Sequence, residues 1–225
     1  MRFVIRVKFA VVLSVTLVIF AGSAWAADET VVAGIINTYG FTTAVAGSTV
    51  TVTGSKTITG SDSALIIGAL DPGVVIDWRA DFTANNWNRP NKDTGMINFS
   101  GDGEFKLTAG TIQITNRTDW VTMIMAGDGN NDNVTVTVNG GKIEGTMAGI
   151  GGIEAWQGIV NINGGEINMP SGNAITAEIV NGATPAVIKN GLVFGGYTGT
   201  IYGHVVSVPD SEHFADKYQP GDFMP

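Results

Sequence analysis

No cysteine occurs in the 225 residues. That absence excludes disulfides, thiolate metal sites, cysteine catalysis and lipid attachment through an N-terminal cysteine. Histidine is almost missing as well. His204 and His213 are the two present, and neither has a serine, cysteine or acidic partner at a recognisable spacing. Ser-His-Asp and Cys-His chemistry therefore find no support. Basic residues are scarce: 12 Lys and Arg stand against 20 Asp and Glu, for a formal net charge of −8. Nucleic acid and anionic lipid are disfavoured as partners, because binding to either runs on Lys and Arg. Phosphate loops, dinucleotide fingerprints and zinc spacings are also lacking.

What remains is rich in corners and strands. Glycine accounts for 31 residues and hydrophobic residues for 44% of the chain, against 14% charged. Thr, Val, Ile, Asn and Gly dominate, the vocabulary of β-strands and tight turns rather than of helices. Residues 1–26 read as an export signal: Arg2, Arg6 and Lys8, an apolar run over residues 9–20, then Ala24-Trp25-Ala26 with small residues at the cleavage-reading positions. Cleavage is expected after Ala26. The competing reading, a retained anchor, meets an apolar run that is short for a spanning helix. Nothing after Ala27 is apolar enough to cross a membrane. Removal of the signal leaves 9 of the 12 basic residues against all 20 acidic ones, a net of −11. Such a charge keeps a secreted protein soluble and suits cation-rich surroundings.

A short unit recurs. Val134-Thr135-Val136-Thr137-Val138 runs into Asn139-Gly140-Gly141-Lys142-Ile143, and further on Ile159-Val160-Asn161-Ile162 runs into Asn163-Gly164-Gly165-Glu166-Ile167. The unit returns around Gly110, around Gly191 and, more weakly, around Gly54. Each copy carries a third apolar patch, as in Ala64-Leu65-Ile66-Ile67, Val121-Thr122-Met123-Ile124-Met125, Ile150-Gly151-Gly152-Ile153 and Ala174-Ile175-Thr176-Ala177. Strand, glycine corner and strand at a period of about 24 predict a coiled β-solenoid with three strands per turn. Valines at alternate positions point to a narrow core, and glycine supplies the positive φ of a sharp corner. The alternative is an antiparallel sandwich, which also uses Asn-Gly turns.

The expected fold is thus all-β: a single-domain parallel β-helix of about six coils, preceded by a signal peptide. Residues 1–26 are the signal, 27–47 an N-terminal cap, 48–208 the β-helix, and 209–225 a polar tail that covers the last coil or docks on a neighbour. Over roughly residues 48–206, the repeats Thr137-Val138-Asn139-Gly140-Gly141-Lys142-Ile143 and Asn161-Ile162-Asn163-Gly164-Gly165-Glu166-Ile167 resemble those of the right-handed parallel β-helix superfamily, the pectin-lyase-like fold. They resemble in particular its secreted, adhesin-like members. The resemblance implies the fold and leaves three outcomes for function: polysaccharide lyases, hydrolases and passive surface proteins. The family's enzymes are usually longer than this chain, so the passive members come first.

Three places draw attention as sites. The stretch from Asp77 to Asp93, the largest interruption of the pattern and read as a loop, gathers Trp78, Trp87, Arg79, Arg89 and several amides. Flat aromatic faces beside amide and guanidinium donors suit sugar rings, and Trp78, Trp87 and Arg89 are the candidate glycan-binding residues. The bland reading packs both tryptophans against the helix, and Trp120 and Trp156 call for the same caution. Asp77 and Asp81, if on one strand, stand roughly 13 Å apart at about 3.3 Å per residue. That is too far for a glycosidase pair at roughly 5–9.5 Å unless the chain bends between them. Asp128-Gly129-Asn130-Asn131-Asp132-Asn133 resembles half a calcium loop, with Asp128, Asn130 and Asp132 as candidate ligands. Asn133 replaces the usual glycine and Asn139 the usual glutamate, so a metal-free turn is the competing reading. Asn116-Arg117-Thr118 and Asn133-Val134-Thr135 are glycan-acceptor triplets.

The expected function is a secreted structural or interaction protein of the cell surface or extracellular matrix, self-associating into fibres, a sheath or a layer. The alternatives are a carbohydrate-binding module or a small polysaccharide lyase or hydrolase. No cofactor is expected, Ca²⁺ apart. The expected partners are further copies of the chain or an extracellular glycan, with no nucleic acid and no membrane span in the mature chain.

Overall fold

A computed structural model describes residues 27–88, 94–116, 121–127, 133–146, 149–156, 158–178, 187–188 and 192–198. The described chain opens with helix α1 (Glu29–Tyr39) and strand β1 (Thr42–Ala46), then β2 (Thr49–Thr53), β3 (Ser55–Gly60) and β4 (Leu65–Leu70). Next come β5 (Val75–Trp78), β6 (Asp81–Trp87), β7 (Ile97–Gly101), β8 (Glu104–Leu107), β9 (Thr111–Thr115) and β10 (Val121–Ala126). The remainder are β11 (Thr135–Val138), β12 (Lys142–Gly145), β13 (Ile150–Trp156), β14 (Ile159–Ile162), β15 (Glu166–Glu178), β16 (Val187–Ile188) and β17 (Leu192–Thr198).

From β2 through β12 each strand pairs with the strand three further on. One sheet runs β1-β2-β5-β8-β11-β14-β16, and the other runs β3-β6-β9-β12-β15-β13-β10-β7-β4 with β17 on β15. The second sheet bends through β15, so the coils have three faces. All the strand pairs are parallel except β1 with β2. The chain is a parallel β-solenoid, which rules out the sandwich. The repeats in the sequence are true neighbours in space: Thr135 pairs with Ile159 across a short coil, and Thr111 pairs with Lys142 across a longer one.

The expectation of about six coils is corrected to about three turns. Three coils, β5–β7, β8–β10 and β11–β13, have a parallel neighbour on both sides of every strand. Counting strand–glycine–strand units treats the ends as full coils, and they are not. The first coil meets an antiparallel strand, β15 runs through its corner as one 13-residue strand, and β14 is continued only by a two-residue β16.

The core is one continuous column. Val50, Ile76, Phe105, Val136 and Val160 stack along one inward row, and Val52, Trp78, Leu107, Val138 and Ile162 along another, all 0% exposed. Alternate residues face out, as the pleat demands. Corners are bare because the coils lie close. Gly141 sits at φ +71, and a Cβ there would come 2.7 Å from the Gly110 carbonyl oxygen. Gly165 repeats this one coil on, at φ +77 and 2.8 Å from the Gly140 oxygen. Side-chain amides add to the stack, with Asn163 Nδ2 donating to Asn139 Oδ1 at 3.0 Å.

Helix α1 starts where Asp28 accepts from the amides of Thr30 and Val31, and stops at Gly40 in the left-handed region. It buries Val32, Ala33 and Ile36 and lies on β1, β2 and β4. Lys56 stands over the Tyr39 ring, 5.1 Å from its centroid. Ala27 is hydrogen-bonded to the β4 edge through Ala69 and Asp71.

Candidate functional site

The expected loop after Asp77 is largely a strand. Residues Asp81–Trp87 form β6, paired with β3 and β9. Phe82 and Ala84 point inward, and Thr83 and Asn85 point outward; the run of amides hides that alternation. Asn86 is an inserted residue at φ +50, between the Thr59–Asn85 and Gly60–Trp87 pairs. The bulge shifts the alternation by one, so Trp87 turns inward where strict pleating would send it out.

Both tryptophans are therefore core. Trp78 is 0% exposed, and its indole nitrogen donates to the Ala80 carbonyl at 2.9 Å. Trp87 is 1% exposed and donates to the Asp62 carbonyl at 2.7 Å. Phe41, Phe82 and Phe105 crowd Trp78 at ring-centroid separations of 4.8, 6.2 and 5.7 Å. In this arrangement neither indole presents a face to a sugar from solvent. Arg89 lies outside the described residues, as do Asp128, Asn130 and Asp132, the signal at residues 1–26, the tail at residues 209–225, His204, His213 and Trp120. Among the described residues no group of three or more His, Cys, Asp or Glu could hold a metal ion.

The carboxylates near the expected site hold the coils. Asp77 and Asp81 lie on different strands with a corner between them. Asp77 is 7% exposed, accepts from Thr108 Oγ1 at 2.6 Å and pairs with Arg79 at 2.6 Å. The hydrogen bond from Arg79, more than the charge itself, raises its guanidinium above the usual range. Asp81 accepts from the amide of Thr111 at 2.9 Å, one coil on. Lys142 bridges Glu144 at 3.0 Å and Glu166 at 3.3 Å. The hydrogen bond to Glu144 is the chief cause holding Lys142 above its ordinary value, against a desolvation effect of opposite sign. In the second glycan-acceptor triplet, Asn133 Nδ2 is engaged by Asp102 at 3.1 Å.

Two surface features remain. The first is the N-terminal end. No charged residue occurs from Thr30 through Ser55. Val31 and Val45 in that stretch are 50 and 48% exposed, and Ile66 on the neighbouring β4 is 60% exposed. Between α1 and β4 lies a groove of about 570 Å³ lined by Val31, Gly34, Ile35, Thr38, Tyr39, Ala64, Leu65 and Ile66. The second feature is Trp156, on the outer side of β13 and 37% exposed. Its signal in the sequence was an outward Glu-x-Trp on an apolar strand, hidden because β13 begins with a run of buried residues, Ile150 to Ile153.

No family model matches the chain, and neither a curated protein nor a solved structure matches it. The class is defined by the fold alone, a parallel β-solenoid. Among the described residues no helix is long and apolar enough to cross a membrane.

Proposed function

We propose that the chain is a secreted, non-enzymatic structural and interaction protein of the cell surface or extracellular matrix. It works by self-association into fibres, a sheath or a layer, in the manner of an adhesin-like member of the pectin-lyase-like solenoids. The observation that carries this reading is the charge-free N-terminal end. Elsewhere an acidic chain repels its own copies. From Thr30 through Ser55 no charge opposes approach; Val31 and Val45 stand open to water there, and Ile66 of the adjacent β4 does too. A contiguous exposed apolar patch rimmed by polar residues marks an interaction site. A second copy is the occupant that the charge balance favours.

Sedimentation and electron microscopy of the purified chain test the reading, with cell fractionation alongside. Concentration-dependent assembly is expected, with retention at the cell surface. Val31→Lys with Ile66→Lys should shift the material to monomer without changing the circular dichroism. Dispersed monomers at every concentration, with none retained on cells, would falsify it. A polysaccharide-cleaving enzyme has less behind it, because Asp77 and Asp81 are both taken up by bonds between coils. A carbohydrate-binding role is favoured by one residue, Trp156.

A further inference from the structure

We propose that Trp156, with Glu154 and Thr122, forms a docking platform for a neutral glycan of β-linked hexoses. Glu154 and Trp156 are two apart on β13 and so project from the same outer face. The ladder places Met125 beside Glu154 and Ala126 beside Ala155, so the neighbour of Trp156 on the preceding coil is Gly127. A glycine there leaves no side chain beside the indole on the side of the preceding coil; on the following coil the ladder partner of Trp156 is Glu178. A Cβ at Gly127 would itself lie 2.2 Å from the Trp156 carbonyl oxygen and 3.5 Å from its Cβ. The Gly127 side of the ring is therefore kept bare by the packing of the coils.

The indole is also held in place. Trp156 Nε1 donates to Glu154 Oε1 at 2.9 Å, and Thr122 Oγ1 donates to Glu154 Oε2 at 2.7 Å. Most carboxylates on the outer faces work differently. Asp77 pairs with Arg79, Glu104 with Lys106, and Glu144 and Glu166 with Lys142. Glu154 has no ion-pair partner among the described residues; its two donors are neutral. Each of its oxygens keeps acceptor capacity for a further hydroxyl. Fixing the ring before the ligand arrives lowers the ordering cost of binding.

An exposed, clamped indole beside an uncompensated carboxylate fits a particular chemistry. The axial C–H face of a hexose with equatorial hydroxyls lies on the ring, and a hydroxyl at its rim donates to the carboxylate. A chain carrying a formal charge of −8 repels polyuronates, so the glycan is neutral. The flat outer face of the sheet suits an extended chain. This site lies on a different part of the surface from the charge-free end and stands whether or not the chain self-assembles.

Affinity electrophoresis of the full mature chain decides the matter, using native gels with hydroxyethylcellulose, laminarin, polygalacturonate or no polysaccharide. At least one of the two glucans should retard the protein, and polygalacturonate should not. Trp156→Ala should weaken retardation at least tenfold with unchanged circular dichroism. Trp156→Phe should keep part of it, and Glu154→Gln should lose a few-fold. Equal retardation of Trp156→Ala and the parent overturns the proposal. So does a parent chain that ignores both glucans, or one held by polygalacturonate alone. If choline quenches the fluorescence lost in Trp156→Phe and neither glucan does, the indole and carboxylate read an ammonium group and the glycan assignment is wrong.

Discussion

Two coils of the same solenoid solve the same packing problem in different ways. The coil β5–β7 fills its interior with Trp78, Phe82, Trp87 and Phe99, and it runs from Val75 to its ladder partner Glu104. The coil β11–β13 fills its interior with Val136, Val138, Ile143, Ile153 and Ala155, and it closes over the shorter stretch from Thr135 to its ladder partner Ile159. The aromatic coil also carries a bulge at Asn86, which turns the Trp87 ring inward. Small aliphatic side chains fit a minimal triangle that turns on Asn-Gly-Gly. Core volume does not by itself set coil length: the coil β8–β10, lined by Phe105, Leu107, Ile112, Ile114, Met123 and Ile124, runs from Glu104 to its ladder partner Thr135, a longer stretch than that of the aromatic coil.

The largest expected contrast is in the inward row that runs Phe82, Ile112, Ile143 and Ile167. Phe82 touches the rings of Tyr39, Phe41 and Trp78 at centroid separations of 5.7, 5.3 and 6.2 Å. Phe82→Ala should cost about 3–5 kcal/mol in urea unfolding, and Ile143→Val about 0.5–1.5 kcal/mol. A small loss at Phe82 would mean that the aromatic coil is loosely packed.

Corners sharpen the comparison next. Gly73, ahead of the aromatic coil, has φ +85 and open space where a Cβ would stand, whereas Gly141 has φ +71 and a carbonyl oxygen 2.7 Å from that position. Gly73→Ala should cost about 1–2 kcal/mol, for the left-handed backbone alone. Gly141→Ala adds a backbone clash and should cost roughly 2–5 kcal/mol. Equal midpoint shifts in thermal melts would show that the coils slide apart freely at the Asn-Gly-Gly corner.

The smallest effect is alkaline. Burial, with help from the negative charge of Asp62, pushes the Tyr39 hydroxyl far above its ordinary value, and that hydroxyl donates to the Ser63 carbonyl. The folded value is raised, so the contribution is whole below about pH 10, the unfolded value, and fades as the pH climbs above it. Lys142 has the same sign, and its contribution fades above about pH 10.4, but the exposed pairs it makes are worth under about 1 kcal/mol. In a spectrophotometric titration, the parent should keep one tyrosine un-ionised after the others have ionised, and Tyr39→Phe should abolish that late step. A late step that persists in Tyr39→Phe would place the protected hydroxyl elsewhere.

The aliphatic coils were legible for a plain reason. Val134, Val136 and Val138 alternate with polar neighbours, and a bare corner follows, so period and pleat agree. The aromatic coil was half legible. Ile76 and Trp78 follow the same alternation that correctly buries Val136 and Val138, and applying it there puts Trp78 inside. Trp87 was not recoverable in this way, because one inserted residue at Asn86 reverses the parity and nothing in the run Ala84-Asn85-Asn86-Trp87 marks which asparagine is extra. The helix at residues 29–39 was equally hidden. Its buried positions, Val32, Ala33 and Ile36, gain their meaning from the end of the solenoid that they sit upon.

Taken alone, the order of residues determines the β-solenoid, its inward rows and the places where the backbone must be glycine, because these follow from local geometry repeated at a steady interval. Tertiary structure alone decided that Trp87 is buried and that Trp156 meets water. Inward or outward direction depends on register, register depends on every bulge before it, and the neighbour that covers or bares a ring comes from an adjoining coil, far off along the chain.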